Sequence, residues 1–227
     1  MNDKELVARH AAAKVKDGML VGLGTGSTAN YFIEELARRR QEEGLHVTTA
    51  ASSVVSTIKA QQLGLPLIAI EHLSRLDLYV DGADEVTPDL VLLKGRGSDL
   101  VREKLMARAA DEFIVLVDQS KLTQRIGERY PIPIEVIPFA WQLAKRTLEL
   151  QGATGELRPN KDGLAVTSHG SLVLDMTFDA GIDSKTLNAL LNATPGVVEH
   201  GIFQDLATTV LIASEGKIEE RRSTTTR

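Results

Sequence analysis

Residues 19–41 read MLVGLGTGSTANYFIEELARRRQ, and this stretch decides the fold. MLVGLG (19–24) is an apolar run with the length of a buried strand. Gly22 to Thr28 is a glycine and hydroxyl turn. From Thr28 to Gln41 the apolar residues Tyr31, Phe32, Ile33, Leu36 and Ala37 return at helical spacing. Strand, tight turn and helix make the first half of a β/α unit.

The chain keeps this rhythm outward in both directions. Residues 3–17 read as an opening helix. HVTTAAS (46–52) is a strand, and VVSTIKAQQLG (54–64) a helix that ends at Gly64. LPLIAI (65–70), LDLYVDG (76–82) and DLVLLKG (89–95) are strands, DLVREKLMARAA (99–110) is a helix, and EFIVLVD (112–118) is a strand. Strands that are apolar without alternation are buried on both faces, as in a mostly parallel sheet covered by helices. The fold class is therefore α/β, with a Rossmann-like domain. After residue 127 the rhythm changes. YPIPIEVIPFAW carries three prolines in eight positions, which suits a domain crossing. A helix (139–151), a strand (153–158), a hairpin (163–167 and 171–176), a helix (183–193) and a strand (196–203) follow, a ferredoxin-like α+β pattern. DLATTVLIAS (205–214) is apolar enough to rejoin the main sheet. KIEERRSTTTR reads as a frayed tail. The expected domains are 1–127 plus 204–227, and 128–203.

Composition narrows the class. At 227 residues, 43% hydrophobic and 25% charged, the chain is an ordinary globular protein. A net charge of −5 argues against a nucleic-acid partner. There is no cysteine, which removes disulfides, thiolate metal sites and a thiol nucleophile. MNDKELVARHAAAKV is charged throughout and does not read as a signal peptide, and no apolar run reaches the ~18 residues of a membrane span. The expected location is the cytoplasm, with no membrane partner.

Polar clusters close the apolar strands: Thr25-Gly26-Ser27-Thr28, Ser52-Ser53, Asp81 and Asp84, Lys94, then Asp118 and Lys121. In open α/β sheets ligands bind along the edge where the strands end. The first cluster suits an anion at a helix N-terminus, but by itself it reads as well as a tight turn with Thr28 as N-cap. It is not a dinucleotide fingerprint, because Ser27 holds the third glycine position and the second strand ends in Ala50-Ala51-Ser52-Ser53 without an acid. Asp81 and Asp84 flank a Gly-Ala turn; two close carboxylates can divide acid and base roles, or simply cap backbone amides. Lys94 ends a strand where a cation can stabilise a developing oxyanion. Glu103, one turn into the next helix, could be a carbon-acid base, though alone it reads as a solvated helix charge. His10, His46, His72, His169 and His200 show no ligand spacing, so no metal is expected. Together the clusters point to a small phosphorylated molecule on which protons are moved.

In these segments the chain resembles the ribose-5-phosphate isomerase family, type A. The matching segments are VGLGTGSTA (21–29), the SS-x-x-S-T stretch (52–57), YVDGADEV (79–86), LKGRG with LVREK (93–104), VDQSKL (117–122), PIPIEVIPFA (131–140) and PGVVEHGIF (195–203). The resemblance implies interconversion of D-ribose 5-phosphate and D-ribulose 5-phosphate through an enediolate, in the non-oxidative branch of the pentose phosphate pathway. It implies Glu103 as the base between C2 and C1, Asp81 as carrier of the hydroxyl proton, Asp84 as its assistant, and Lys94 as the cation for the enediolate oxygen. It also implies that Thr25, Gly26, Ser27, Thr28, Gly82, Ala83 and Lys121 hold the substrate, while the loop of Lys94, Gly95, Arg96 and Gly97 closes on it. The family uses no metal or organic cofactor and forms homodimers or homotetramers. The chain departs from the family pattern at Ser98 and Asp99, where small residues are usual, at Arg96, a tolerated alternative to glycine, and at Thr-Ser-His-Gly-Ser (167–171). Ser98 reads as the N-cap of the next helix, with Asp99 its first residue.

Two rival readings are weaker. A sugar-phosphate-sensing regulator needs a DNA-binding helix-turn-helix, and the glycine turn begins at residue 22; a sensor also has no use for Asp81, Asp84, Lys94 and Glu103 together. A nicotinamide oxidoreductase lacks its third glycine and ribose acid.

Overall fold

In the computed structural model of the chain, which describes residues 2–224, the elements run in this order. First come α1 (Asp3–Ala13), β1 (Leu20–Leu23), α2 (Ser27–Glu43), β2 (Thr48–Ala51), α3 (Val54–Gln62) and β3 (Leu76–Gly82). Next are β4 (Glu85–Val86), β5 (Leu92–Leu93), α4 (Leu100–Ala109), β6 (Ala110–Asp118), β7 (Ile132–Val136) and α5 (Trp141–Glu149). The remainder is β8 (Thr154–Leu157), β9 (Pro159–Asn160), β10 (Gly163–Leu164), β11 (Leu172–Thr177), α6 (Ser184–Ala193), β12 (Val197–His200), β13 (Ile202–Phe203), β14 (Thr209–Ser214) and β15 (Lys217–Arg222).

Two compact units hold these elements. The first is Met1–Ala83, Arg102–Lys121 and Leu206–Arg227; the second is Asp84–Val101 and Leu122–Asp205. The expected division kept 84–101 and 122–127 with the sheet domain. Strand pairing groups them otherwise: β4 and β5 pair with each other, and β5 with β13.

The first unit is a six-stranded sheet in the order β15-β14-β6-β3-β1-β2. All its neighbours are parallel except β14 and β15. α1 and α2 cover it: Val7 and Ala11 from α1, and Phe32, Ile33 and Leu36 from α2, share a buried core with Val21, Val80, Ile114 and Leu211. The helical spacing of those α2 residues is what buries one face, and burial of each large side chain stabilises by about 1.5–3 kcal/mol. The second unit carries a four-stranded antiparallel sheet in the order β12-β7-β11-β8. With α5 after β7 and α6 after β11, this is the ferredoxin-like arrangement. Its core joins Ile134 and Val136 of β7 to Leu148, Leu174, Leu187 and Leu191.

Several expected elements differ. The opening helix ends at Ala13 rather than 17. Residues 65–70 form no strand. Leu67 alone bridges Thr49, Pro66 has no N–H to give, and Ile70–His72 turns as a 3-10 helix. The expected strand 89–95 shrinks to β5, because Leu90 takes φ +62° and a turn closes from Leu90 N–H to the Thr87 carbonyl at 2.9 Å. β5 lies in the small antiparallel sheet instead of the parallel one. In the expected hairpin, Gly163–Leu164 pairs with β9, and only Val166 bridges Leu172. The strand at 196–203 divides at Gly201 into β12 and β13, which serve two sheets. Residues 217–222 of the expected tail form edge strand β15, whose Ile218 packs on the core while charged residues mark the edge. Residues 225–227 lie outside the described residues.

Candidate active site

Because β1, β2, β3, β6 and β14 are parallel, their carboxyl ends share one edge of the first unit's sheet. The turn after β1 is shaped around Asp81. A Cβ on Gly24 would lie 2.2 Å from Asp81 Oδ1 and 2.6 Å from its Cα, so only glycine lets the two strand ends approach. Gly26 precedes α2 with φ +106°, a conformation that favours glycine. α2 thus begins at Ser27, one residue before the Thr28 start that the sequence suggests. Gly26 and Ser27 are exposed, and Thr25 and Thr28 half-buried.

Asp81 is buried and bound from three sides. Its Oδ1 accepts the Thr25 N–H at 3.0 Å and the Gly82 N–H at 2.8 Å. Its Oδ2 accepts the Tyr79 hydroxyl at 2.5 Å. Tyr79 is fully buried, and its ring stacks on Phe113 with centroids 4.8 Å apart. Burial first, then the charges of Asp81 and Glu103, push the Tyr79 phenol well above its ordinary range. It therefore stays protonated and donates.

Glu103 is buried on α4, one turn before Met106. A Cβ on Gly22 would lie 2.8 Å from the Met106 methyl, which fixes how closely α4 lies over β1. That packing carries Glu103 to the neighbourhood of Tyr79, where its charge is felt. Around Thr25 sits a cluster of hydroxyls. Thr25 Oγ1 lies 3.0 Å from Ser52 Oγ and 3.2 Å from Ser56 Oγ, and donates to Ser53 Oγ at 2.7 Å. Ser56 Oγ donates in turn to the Gly24 carbonyl at 2.6 Å. Beyond this cluster, Lys4 Nζ donates to Ser27 Oγ at 2.9 Å. Both residues line a cleft of about 670 Å³ with Tyr31, Asp118, Gln119 and Ser120. Lys121 ends the 3-10 turn Gln119–Lys121 that follows β6.

The second unit holds the other expected residues. Asp84 is half-buried, and its N–H donates to the Leu93 carbonyl at 2.8 Å. Lys94 is buried, its N–H donates to the Gly201 carbonyl at 2.9 Å, and its Nζ lies over the Phe203 ring, 5.6 Å from the centroid. After it comes a fastened loop. Gly95 has φ +99° and no room for a Cβ beside Leu100, while Arg96 and Gly97 are exposed. Arg158 forms a two-pronged ion pair with Asp175. Its Nη1 donates to the carbonyls of Gly95 (3.1 Å) and Arg96 (3.2 Å) and to Ser98 Oγ (3.0 Å). The Arg96 guanidinium lies 4.3 Å from the Tyr130 ring centroid. Ser98 is no N-cap: its φ is +67°, and α4 begins at Leu100. Asp99 precedes the helix and accepts the Ser168 hydroxyl, so two departures from the family pattern are bonded to each other.

Thr25, Gly82, Asp81 and Glu103 are brought together in the first unit, with Gly26, Ser27 and Thr28 beginning α2 beside them. Ala83 ends that unit, and Asp84, Lys94, Gly95, Arg96 and Gly97 belong to the second. Tyr79, Ser56, Lys4, Arg158 and Phe203 were not singled out as site residues from sequence, and Ser52 and Ser53 were placed on this edge without a role. Tyr79 had a signal: two residues before Asp81 on a strand, it faces the same side. Lys4 and Arg158 had none, because their partners are 23 and about 60 residues away in sequence. Among the described residues, no group of three or more His, Cys, Asp or Glu side chains could hold a metal ion.

The model of the family described as ribose 5-phosphate isomerase A (phosphoriboisomerase A) matches residues 48–217. Ribose-5-phosphate isomerase A of Methanothermobacter thermautotrophicus is 46% identical over 220 residues, covering 95% of this chain and 96% of that protein. The structure of ribose 5-phosphate isomerase A from Methanocaldococcus jannaschii superposes with a TM-score of 0.92 at 38% identity, over 97% of this chain and 98% of that one. A D-ribose-5-phosphate isomerase in complex with phospho-erythronic acid superposes with a TM-score of 0.93 at 36% identity, over 98% of this chain and all of that one.

Proposed function

The chain belongs to the ribose 5-phosphate isomerase A family, and from that premise we propose that it interconverts D-ribose 5-phosphate and D-ribulose 5-phosphate through an enediolate. The observation that carries this reading is a buried pair of carboxylates, Asp81 and Glu103, both acting on the buried Tyr79 phenol at the carboxyl edge of a parallel sheet. One carboxylate can work on carbon while the other works on oxygen.

In the forward direction the Glu103 carboxylate removes the C2 proton of the open-chain aldose. The C2–H electrons form the C1–C2 double bond, and the carbonyl π electrons move to O1. The Lys94 ammonium, buried against Phe203, stabilises the resulting negative charge. Asp81 transfers the O2 hydroxyl proton to O1. Glu103 returns its proton to C1 as the C2 carbonyl forms, and no atom is gained or lost. Asp84 assists, including in ring opening. Thr25, Gly26, Ser27, Thr28, Gly82, Ala83 and Lys121 hold the substrate, and Gly95, Arg96 and Gly97 cover it. The cleft of Lys4 and Ser27 offers an ammonium, a hydroxyl and the N-terminus of α2 to the phosphate.

The enzyme uses no metal or organic cofactor, and it works in the cytoplasm. It assembles as a homodimer or homotetramer. Phe139 (88% exposed), Leu143 (72%) and Leu150 (73%) stand at spacings of four and seven along α5 and its flanks, an apolar stripe suited to burial against a second copy.

The test is incubation with ribose 5-phosphate in excess EDTA, following ketose formation. Turnover that EDTA leaves intact is expected. No ketose under any condition, or activity lost on chelation and restored by a divalent ion, would overturn the reading.

A further inference from the structure

Tyr79 is built into the edge of the first unit in a way that its role as core filler does not require. Its ring is already held by stacking on Phe113 and by Gly22, where a Cβ would lie 2.7 Å from the tyrosine ring. A phenylalanine would pack there equally well. The hydroxyl instead reaches Asp81 Oδ2 at 2.5 Å, while the Thr25 and Gly82 amides take Oδ1. Both oxygens of the one carboxylate are thereby engaged, and its plane is fixed.

We propose that Tyr79 is a positioning residue for the isomerisation: its hydroxyl orients the Asp81 carboxylate that exchanges the substrate's hydroxyl protons. This rests on the reading of Asp81 given above. The charged groups facing the phenol are Asp81 on its own strand and Glu103 on α4; the end of β2 presents the neutral Ser52 hydroxyl, and β6 presents the Phe113 ring. Buried as it is, the phenol keeps its proton. It serves as a fixed donor and does not itself act as a base. A hydrogen bond given to a carboxylate favours its charged form, so losing the bond raises the pH at which the carboxylate gains a proton.

Tyr79→Phe removes that hydroxyl and nothing else. Expected are a thermal midpoint within a few degrees of wild type, a KM within about threefold, and a kcat lowered by about tenfold or more. The acidic limb of the kcat–pH profile should move to higher pH by about half a unit or more. A purely structural role would move the melting temperature and leave that limb in place. A folded Tyr79→Phe enzyme with kcat within twofold of wild type and an unmoved limb overturns the proposal. Should Tyr79→Phe fail to fold, replacing the three tyrosines of the chain by 3-fluorotyrosine makes the donor stronger at nearly constant size. The limb should then move to lower pH, and a stationary limb overturns the proposal. Asp81→Asn separates the two levels. Wild-type turnover in Asp81→Asn would sink the reading of Asp81 itself. An inactive Asp81→Asn beside an unaltered Tyr79→Phe sinks only the role of Tyr79.

Discussion

Glu103 is only 4% exposed, on a helix whose sequence reads as charged through Arg102 to Lys104. A carboxylate withdrawn that far from water costs several kcal/mol unless it is bonded or used. Its helix also carries the buried Met106 and Ala107, which set the face on which Glu103 lies. Glu103→Gln keeps size and hydrogen-bonding capacity but cannot take a proton from carbon. It should lower kcat by at least about 10²-fold while substrate binding persists. Wild-type enzyme in deuterated water should exchange the substrate hydrogen, and the variant should not. A variant within threefold of wild type would remove Glu103 from the role. The same contrast applies to Asp81, where a one-residue motif became a three-donor network. The network is local in part, since Tyr79 and Gly82 are strand neighbours, and remote in part, since Thr25 lies 56 residues earlier.

At the scale of elements, the start of α4 decides how the loop of residues 94–97 is held. The expected place of Asp99 as first residue of the helix gives way to a tether, because the helix begins one residue later and Asp99 binds Ser168. The stronger fastening is Arg158, which reaches two loop carbonyls and Ser98 while paired with Asp175. Asp99 and Ser168 are partly in water, so their bond is worth about 0.5–1.5 kcal/mol at most. Asp99→Ala should therefore lower unfolding free energy by less than about 1.5 kcal/mol. It should change kcat/KM by less than about threefold, which is under ~0.7 kcal/mol of transition-state stabilisation. A tenfold rise in kcat/KM would mean that the charge faces the substrate and that Ser168 does not hold it. Sequence could not pair these two departures, because the turn at 167–171 and the helix start are separated by 69 residues.

For the whole molecule, stability and pH meet at Glu135. It is 1% exposed in β7, accepts the Thr167 hydroxyl at 2.8 Å, and burial raises its pKa above the ordinary 4.5 despite that bond. A carboxyl whose folded pKa is raised contributes stability at low pH and loses it as pH rises through the folded value. Glu135→Gln carries no such charge. The difference in unfolding free energy between variant and wild type should therefore shift in favour of the variant as pH rises above 4.5, and then level off. Exposed carboxylates with lowered pKa, such as Glu43 and Asp183, act oppositely, but they are common to both proteins and cancel in the difference. Denaturant melts from pH 4 to 8 would measure it, and a difference that is flat or moves the other way would refute it. The sequence by itself determined what depends on near neighbours. The strand–turn–helix of 19–41, the limits of β3 at 76–82, and the ferredoxin-like order of the second unit all follow from periodicity and turn residues. Periodicity reports that a segment is buried, but not which backbone will answer its hydrogen bonds. Only the tertiary structure decided that 65–70 touches β2 at one bridge, that β5 leaves the parallel sheet, and that charged KIEERR forms an edge strand on β14. It also decided that Glu103 is buried and that Tyr79 holds Asp81. Burial and hydrogen bonding at those positions come from residues distant in the chain, brought close only when the sheet and helices pack.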